Sequence, residues 1–301
     1  MARNVLVPLD GSPFAEDALP LAAELARRMG STLHLVHVIR PAATFDYKTP
    51  QDDLAWTQKV RDGADAYLAE ISSGLSDGGT VTTRTAVLEG DVADAIGEYA
   101  KSSDVGLVVI TSHGDGGLKR WWLGSVAERL IRTAPADVLL VRPWDDTEDR
   151  ETLEPRFRKV LVPLDGSGAA EAAILPAQEV TRLFQAELVL TRIVPAPLEL
   201  TSIYGVPGVQ LAGDGHKALV DDAKAYLVEA AEKLGDPPPR AVVLEAAAAA
   251  DGVVEAARKE EADLIVLSTH GRGGFKRVML GSVADKVIRG THLPVWVTRT
   301  E

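Results

Sequence analysis

The sequence predicts an α/β protein built as two tandem open-twisted domains, each a five-stranded parallel sheet with helices on both faces. Three observations predict it. The chain is 301 residues long, twice the commonest domain size, so length alone predicts two domains. It also repeats itself: Arg3-Asn-Val-Leu-Val-Pro-Leu-Asp-Gly-Ser12 returns, with one substitution, as Arg158-Lys-Val-Leu-Val-Pro-Leu-Asp-Gly-Ser167. Within each copy, short apolar runs alternate with longer amphipathic stretches, the pattern of βα units whose parallel strands are buried on both faces.

The elements follow in order. In the first copy strands are expected at Asn4–Leu9, Thr32–Ile39, Val81–Leu88, Val105–Thr111 and Asp137–Arg142, with helices at Ala15–Met29, Asp52–Ser73, Val92–Lys101 and Ser125–Arg132. The second copy gives strands at Lys159–Leu164, Glu187–Val194, Arg240–Glu245, Leu264–Ser268 and Pro294–Arg299. Its helices are expected at Ala169–Phe184, Lys217–Leu234, Ala247–Glu260 and Ser282–Arg289. Asp10-Gly-Ser12 and Asp165-Gly-Ser167 supply the short side chains that accept from the unpaired amides of a first helical turn. Between the copies, Trp144–Pro155 lacks apolar periodicity and is mostly acidic, so the domains are drawn at 1–144 and 158–301 with a solvated linker at 145–157.

Composition removes several classes of function. A formal charge of −12 repels a phosphate backbone at long range and argues against nucleic-acid and anionic-membrane roles. The chain has no cysteine, which excludes disulfides, thiolate metal sites and cysteine nucleophiles together. Its N-terminus runs straight into a strand-like segment without an apolar leader, and no run of 18 apolar residues occurs. A cytoplasmic location without membrane insertion is therefore expected.

In open α/β sheets ligands bind beyond the carboxyl ends of the strands, which directs attention to the loops at Pro8–Ser12, Ile39–Gln51 and Thr111–Gly124 and their partners in the second copy. One long loop, His113-Gly-Asp-Gly-Gly-Leu-Lys-Arg-Trp-Trp-Leu-Gly-Ser-Val-Ala127, recurs as His270-Gly-Arg-Gly-Gly-Phe-Lys-Arg-Val-Met-Leu-Gly-Ser-Val-Ala284. In both, Gly114 or Gly271 is separated by nine residues from Gly124-Ser125 or Gly281-Ser282. Glycines allow close backbone approach, so consecutive amides can form an anion-binding nest, and the following helix start adds free amides and a favourable dipole. The plainer alternative is that the glycines shape a loop and the serine caps a helix. Asp10 and Asp165, on the neighbouring loop, can accept from a ribose hydroxyl or serve as helix caps.

His113 and His270 have no nucleophile or second metal ligand at recognisable spacing, so a structural or nucleotide-packing role is assigned to them. His34 and His37 are three apart on a strand and face opposite sides. Trp121-Trp122 reads as a packing contact.

These segments resemble the universal stress proteins in tandem form. Val5-Leu-Val-Pro-Leu-Asp-Gly-Ser12, the Val87-Leu-Glu-Gly-Asp91 turn, Ser112-His-Gly114 and Gly124-Ser-Val-Ala127 are similar to that family's signature segments in order, and the second half repeats most of them. The resemblance implies an adenine-nucleotide alpha-hydrolase-like fold and, in the nucleotide-binding branch, an ATP site with Mg2+ as an optional companion. Gly114, Gly124, Ser125 and Val126 would hold phosphates and ribose, Asp10 the ribose and Val38 the adenine. Gly271, Gly281, Ser282, Val283, Asp165 and Ile193 match them in the second half.

The family's first glycine is Thr111 in one copy and Ser268 in the other, where a side chain either crowds the nucleotide or lends a hydroxyl. Arg272 in the second loop replaces Asp115 in the first, so charge favours the second site. The expected function is an ATP-binding stress-response regulator without a catalytic residue set; a slow ATPase and a nucleotide-free interaction scaffold stay open. The last strands, Val138–Val141 and Val295–Val297, are expected sheet edges, and the resemblance implies that they pair, giving an intrachain pseudo-dimer or a homodimer with unidentified protein partners.

Overall fold

The computed structural model describes residues 3–40, 50–76, 81–112, 123–142, 157–196, 213–269 and 280–299. The chain divides into two compact units, Met1–Pro155 and Arg156–Glu301.

In the first unit the elements run β1 (Asn4–Pro8), α1 (Pro13–Glu16), α2 (Leu19–Met29), β2 (Thr32–Ile39), α3 (Pro50–Ser76), β3 (Thr82–Glu89), α4 (Val92–Ser102), β4 (Val105–Thr111), α5 (Ser125–Thr133) and β5 (Asp137–Val141). The strands pair in parallel in the order β3-β2-β1-β4-β5. The second unit repeats the plan as β6 (Lys159–Pro163), α6 (Gly168–Glu171), α7 (Ile174–Phe184), β7 (Glu187–Pro195), α8 (Gly213–Glu232), β8 (Arg240–Ala246), α9 (Ala249–Lys259), β9 (Leu264–Ser268), α10 (Ser282–Gly290) and β10 (Val295–Thr298). Its strands are also parallel, ordered β10-β9-β6-β7-β8.

The central strands are apolar on both sides because helices cover both faces. Val5, Leu6 and Val7 of β1 and Val160, Leu161 and Val162 of β6 have no exposed surface. Successive residues of β7 show the two faces directly: the Arg192 guanidinium carbon lies 5.0 Å from the Tyr226 ring centre on α8, whereas Ile193 packs against Gly252 on α9. In the first unit His34 meets Tyr99 of α4 and His37 meets Tyr67 of α3, on opposite faces as their spacing requires.

One expectation is corrected by backbone chemistry. The continuous helices expected at Ala15–Met29 and Ala169–Phe184 are each divided in two, α1 from α2 and α6 from α7. Pro20 and Pro176 stand in the first turns of α2 and α7, where a proline has no N–H to give the carbonyl four residues earlier and is tolerated only at a helix start. The short α1 and α6 therefore form separate supports for the Asp-Gly-Ser loops. The other helices extend by a few residues beyond or short of their expected ends, as in α3, which spans Pro50–Ser76.

Candidate functional site

In the first unit the sequential crossovers run outward from β1 to one side and begin again at β4 on the other, so the strand order reverses between β1 and β4. In an open α/β sheet this reversal opens a crevice at the strands' carboxyl ends. The Asp10 loop follows β1 and the Gly124 helix start is bonded to Ser112 just after β4, so these two lie on either side of it. In the second unit the Asp165 loop after β6 and the Gly281 helix start, bonded to Thr269 just after β9, are placed in the same way.

The Asp10 loop is folded by its own side chains. Ser12 donates to Asp10 Oδ1 from both its backbone N–H, at 2.9 Å, and its Oγ, at 2.6 Å. Ser12 Oγ in turn accepts from the Ala15 amide at 3.2 Å and so caps α1. Gly11 turns the chain with a φ of 85°, a left-handed conformation that suits glycine. The second unit reproduces this closely: Ser167 donates to Asp165 Oδ1 from N and Oγ at 2.9 and 2.6 Å, and caps α6 through Ala170 N at 3.1 Å. The serines, not the aspartates, are the helix caps. Asp10 is exposed and Asp165 half-buried.

Across the crevice, Gly124 is the N-cap of α5 and no side chain caps that helix; the same holds for Gly281 and α10. Ser125 and Ser282 are thus the first helical residues and not caps, which leaves the first-turn amides without intrahelical partners at the helix start. The Gly124 amide donates to the Ser112 carbonyl at 2.8 Å, and the Gly281 amide to Thr269 O at 2.8 Å. A β-carbon on Gly124 would lie 3.2 Å from that Ser112 oxygen, so the approach of loop and strand end favours glycine. Ser125 and Ser282 are exposed at these starts, Val126 is half-buried and Val283 exposed.

Thr111 and Ser268 are the last residues of β4 and β9 and are buried, at 5% and 8% exposure. Thr111 pairs in register with Val141 and Ser268 with Thr298, so the departure from the family's first glycine lies inside a strand. Val38 and Ile193 sit near the ends of β2 and β7, half-buried. His113, Gly114, His270, Gly271 and Arg272 lie outside the described residues, as do Asp115 and Trp121-Trp122.

Sequence reasoning missed a constellation that stands behind both aspartate loops. Tyr67 of α3 donates to Glu16 Oε1 of α1 at 2.9 Å, and Tyr226 of α8 donates to Glu171 Oε1 of α6 at 2.8 Å. Burial first, and then the glutamate bond, push both phenols above their ordinary range, with the Asp10 and Asp165 charges adding to the effect. Each tyrosine also meets a residue from the same strand position: His37 edge-on at 6.4 Å between ring centres in one unit, the Arg192 guanidinium over the ring in the other. The signal was present in the repeat, since Asp-Gly-Ser is followed by Glu16 or Glu171 at equal spacing and Ala-Tyr-Leu occurs at 66–68 and 225–227.

Comparison with known proteins bears on this geometry. The family model described as the universal stress protein family matches residues 1–142 and again 156–299. This chain belongs to the universal stress protein family. Universal stress protein Rv2623 of Mycobacterium tuberculosis is 27% identical over 302 aligned positions, covering 98% of this chain and 96% of that one. Rv2005c of the same organism is 31% identical over 206 positions, covering 66% of this chain and 63% of the relative, so the match spans less than two thirds of that protein. The crystal structure of a universal stress protein from Archaeoglobus fulgidus superposes with a TM-score of 0.73 at 19% identity, covering 99% of each chain. One from Pseudomonas aeruginosa gives 0.64 at 19% identity over 99% of this chain and 93% of its own. At that identity the likeness concerns the fold.

Proposed function

We propose that this universal stress protein is an ATP-binding regulator with one nucleotide site per unit. The ribose is held by the carboxylate of Asp10 or Asp165. The phosphates lie against the start of α5 or α10, at Gly124, Ser125 and Val126 or Gly281, Ser282 and Val283. Adenine lies at the strand end carrying Val38 or Ile193. The observation that carries this reading is the repeated pairing, on either side of the strand-order reversal, of an Asx-turned aspartate loop with a helix start that no side chain caps. Such a helix start is suited to an anion through its amides and dipole. Thr111, Ser268, His113, His270, Gly114, Gly271 and Arg272 belong to the same proposal as the remaining lining.

The reading is tested by denaturing the purified protein and chromatographing what is released, then titrating the stripped chain with ATP, with and without Mg2+, by calorimetry. Adenine nucleotide in the supernatant, or ATP binding that raises the melting temperature, supports it; neither result leaves the nucleotide-free scaffold, which the Thr111 and Ser268 departures favour. Phosphate release followed over hours separates a binding protein from a slow ATPase. Assembly as a homodimer or an intrachain pseudo-dimer is part of the proposal and is read by light scattering with and without ATP. Its place of action in the cytoplasm is tested by fractionation.

A further inference from the structure

Each aspartate loop is followed by a helix too short to hold itself in place. Gly11 and Gly166 turn the two loops at φ of 85° and 86°, and α1 and α6, which come next, are four residues long. A single helical turn has no stability of its own, so its placement is set by what it is bonded to. At its start, Ser12 or Ser167 caps the turn and also donates to the aspartate. At its end, Glu16 or Glu171 accepts from the phenol of Tyr67 at 2.9 Å or of Tyr226 at 2.8 Å.

The tyrosines are well anchored. Each precedes a leucine with no exposed surface, Leu68 on α3 and Leu227 on α8, and these helices pack on β2 and β3 in one unit and on β7 and β8 in the other. A chain of contacts therefore runs from a helix fixed to the sheet, through a glutamate, one helical turn and a serine, to the aspartate carboxylate. Both units keep this bond although the turn between changes from Pro13-Phe14 to Gly168-Ala169.

We infer that Tyr67 and Tyr226 are positioning residues of the two nucleotide sites: each holds, through its glutamate and short helix, the aspartate carboxylate in the orientation that accepts a ribose hydroxyl, and so sets a preference for ribonucleotides over nucleotides that lack those hydroxyls. The inference rests on the nucleotide reading above. Ser12 donates twice to Asp10 Oδ1, so Oδ2 is the oxygen presented to the ribose. Both phenols feel the charge of the aspartate in their own unit, which ties each tyrosine to its loop. The Tyr67 bond is partly buried and the Tyr226 bond exposed; a hydrogen bond shielded from water is the stronger, so the first loop depends more on its tyrosine.

Two measurements on the full-length chain test it. The first is amide hydrogen exchange without nucleotide. Tyr67→Phe removes the donor and keeps the ring, so the Ser12 and Ala15 amides, which donate to Asp10 and to Ser12 Oγ, are expected to exchange about three- to tenfold faster while those of β1 keep their protection. Tyr226→Phe does the same, to a smaller extent, at Ser167 and Ala170. The second is calorimetric titration. With both tyrosines replaced, ATP is expected to bind about three- to tenfold more weakly, whereas 2′,3′-dideoxy-ATP binds as it does to the unmodified chain. Glu16→Gln and Glu16→Ala remove the same charge, yet only the first keeps an acceptor for the phenol, so the glutamine chain binds ATP more tightly than the alanine chain. Where Asp10→Ala and Asp165→Ala have removed both carboxylates, replacing the tyrosines changes nothing further. Unchanged exchange at Ser12 and Ser167, or equal weakening of ATP and the dideoxynucleotide, overturns the inference and leaves the nucleotide reading standing. No ATP binding by the unmodified chain overturns both.

Discussion

His34 shows what a single residue costs and does in this fold. It is 1% exposed, its Nδ1 lies 3.0 Å from the Tyr99 hydroxyl, and its Nε2 has no hydrogen-bond partner among the described residues. Burial first, and then the Arg84 charge, hold its pKa below the ordinary value, so the neutral ring is the folded form. Below the ordinary histidine range the unfolded chain binds a proton that the folded one refuses, and stability is lost as the pH falls through the unfolded value toward the folded one. Urea denaturation of the first unit is expected to show a midpoint that drops between about pH 7 and about pH 5. His34→Val, which installs the residue that the second unit has at Val189, is expected to flatten that slope; an unchanged slope would sink the account. At this scale the sequence was partly legible. It singled out Asp10, Asp165 and the glycines that flank the crevice, and it placed His34 and His37 on opposite faces. The Glu16–Tyr67 and Glu171–Tyr226 bonds were hidden because their members stand 51 and 55 residues apart, and no local period connects α1 to α3.

Between elements, the two copies exchange volume across one contact. A β-carbon on Gly252 of α9 would stand 2.6 Å from Ile193 Cγ2 and 2.8 Å from Ala246 Cβ. The matching first-unit residues are Ala95 and Val38, so one carbon fewer on the strand accompanies one more on the helix. Gly252→Ala is expected to destabilise the second unit by about 1–3 kcal/mol through overpacking, less the ~1 kcal/mol that alanine returns in helix propensity. In an Ile193→Ala background, which lacks the Cγ2 and Cδ1 atoms that the new β-carbon meets, the cost of Gly252→Ala should fall, as measured by a double-mutant cycle in chemical denaturation; an unchanged cost would exclude this contact as the cause.

A second difference lies at the helix starts. Asp91 caps α4 by accepting from Ala93 N at 3.1 Å and Asp94 N at 3.3 Å, and it receives Arg129 of α5 at 2.8 Å. Ala248 holds the same place before α9 with no side-chain cap. Ala248→Asp is expected to add about 1 kcal/mol of stability, and an unchanged denaturation midpoint would refute it. Strands were readable because parallel-sheet strands are short, apolar and turn-bounded. The divided helices were not, because the apolar period runs on through Pro20 and Pro176 while the hydrogen-bond ladder does not.

For the molecule as a whole, the repeat made the architecture legible in the residues themselves: a chain that carries the same strand–turn segment twice must build the same sheet twice. The two fold units, Met1–Pro155 and Arg156–Glu301, agree with the two family matches. Each has a complete parallel sheet and its own fully buried side chains, among them Leu6, Leu25, Leu68, Ile96 and Leu130 in the first and Leu161, Leu190 and Leu227 in the second. Units of about 150 residues bury enough surface to be stable by themselves. Residues 1–155 and 156–301, produced separately, are therefore each expected to unfold cooperatively in urea and to keep helical circular dichroism. Their acid responses should differ as the buried histidine dictates: the first piece weakens on acidification, and the second, with Val189 at that position, does so less. If either piece has no cooperative transition, then its core depends on the other half, and two self-sufficient copies are the wrong description of this chain.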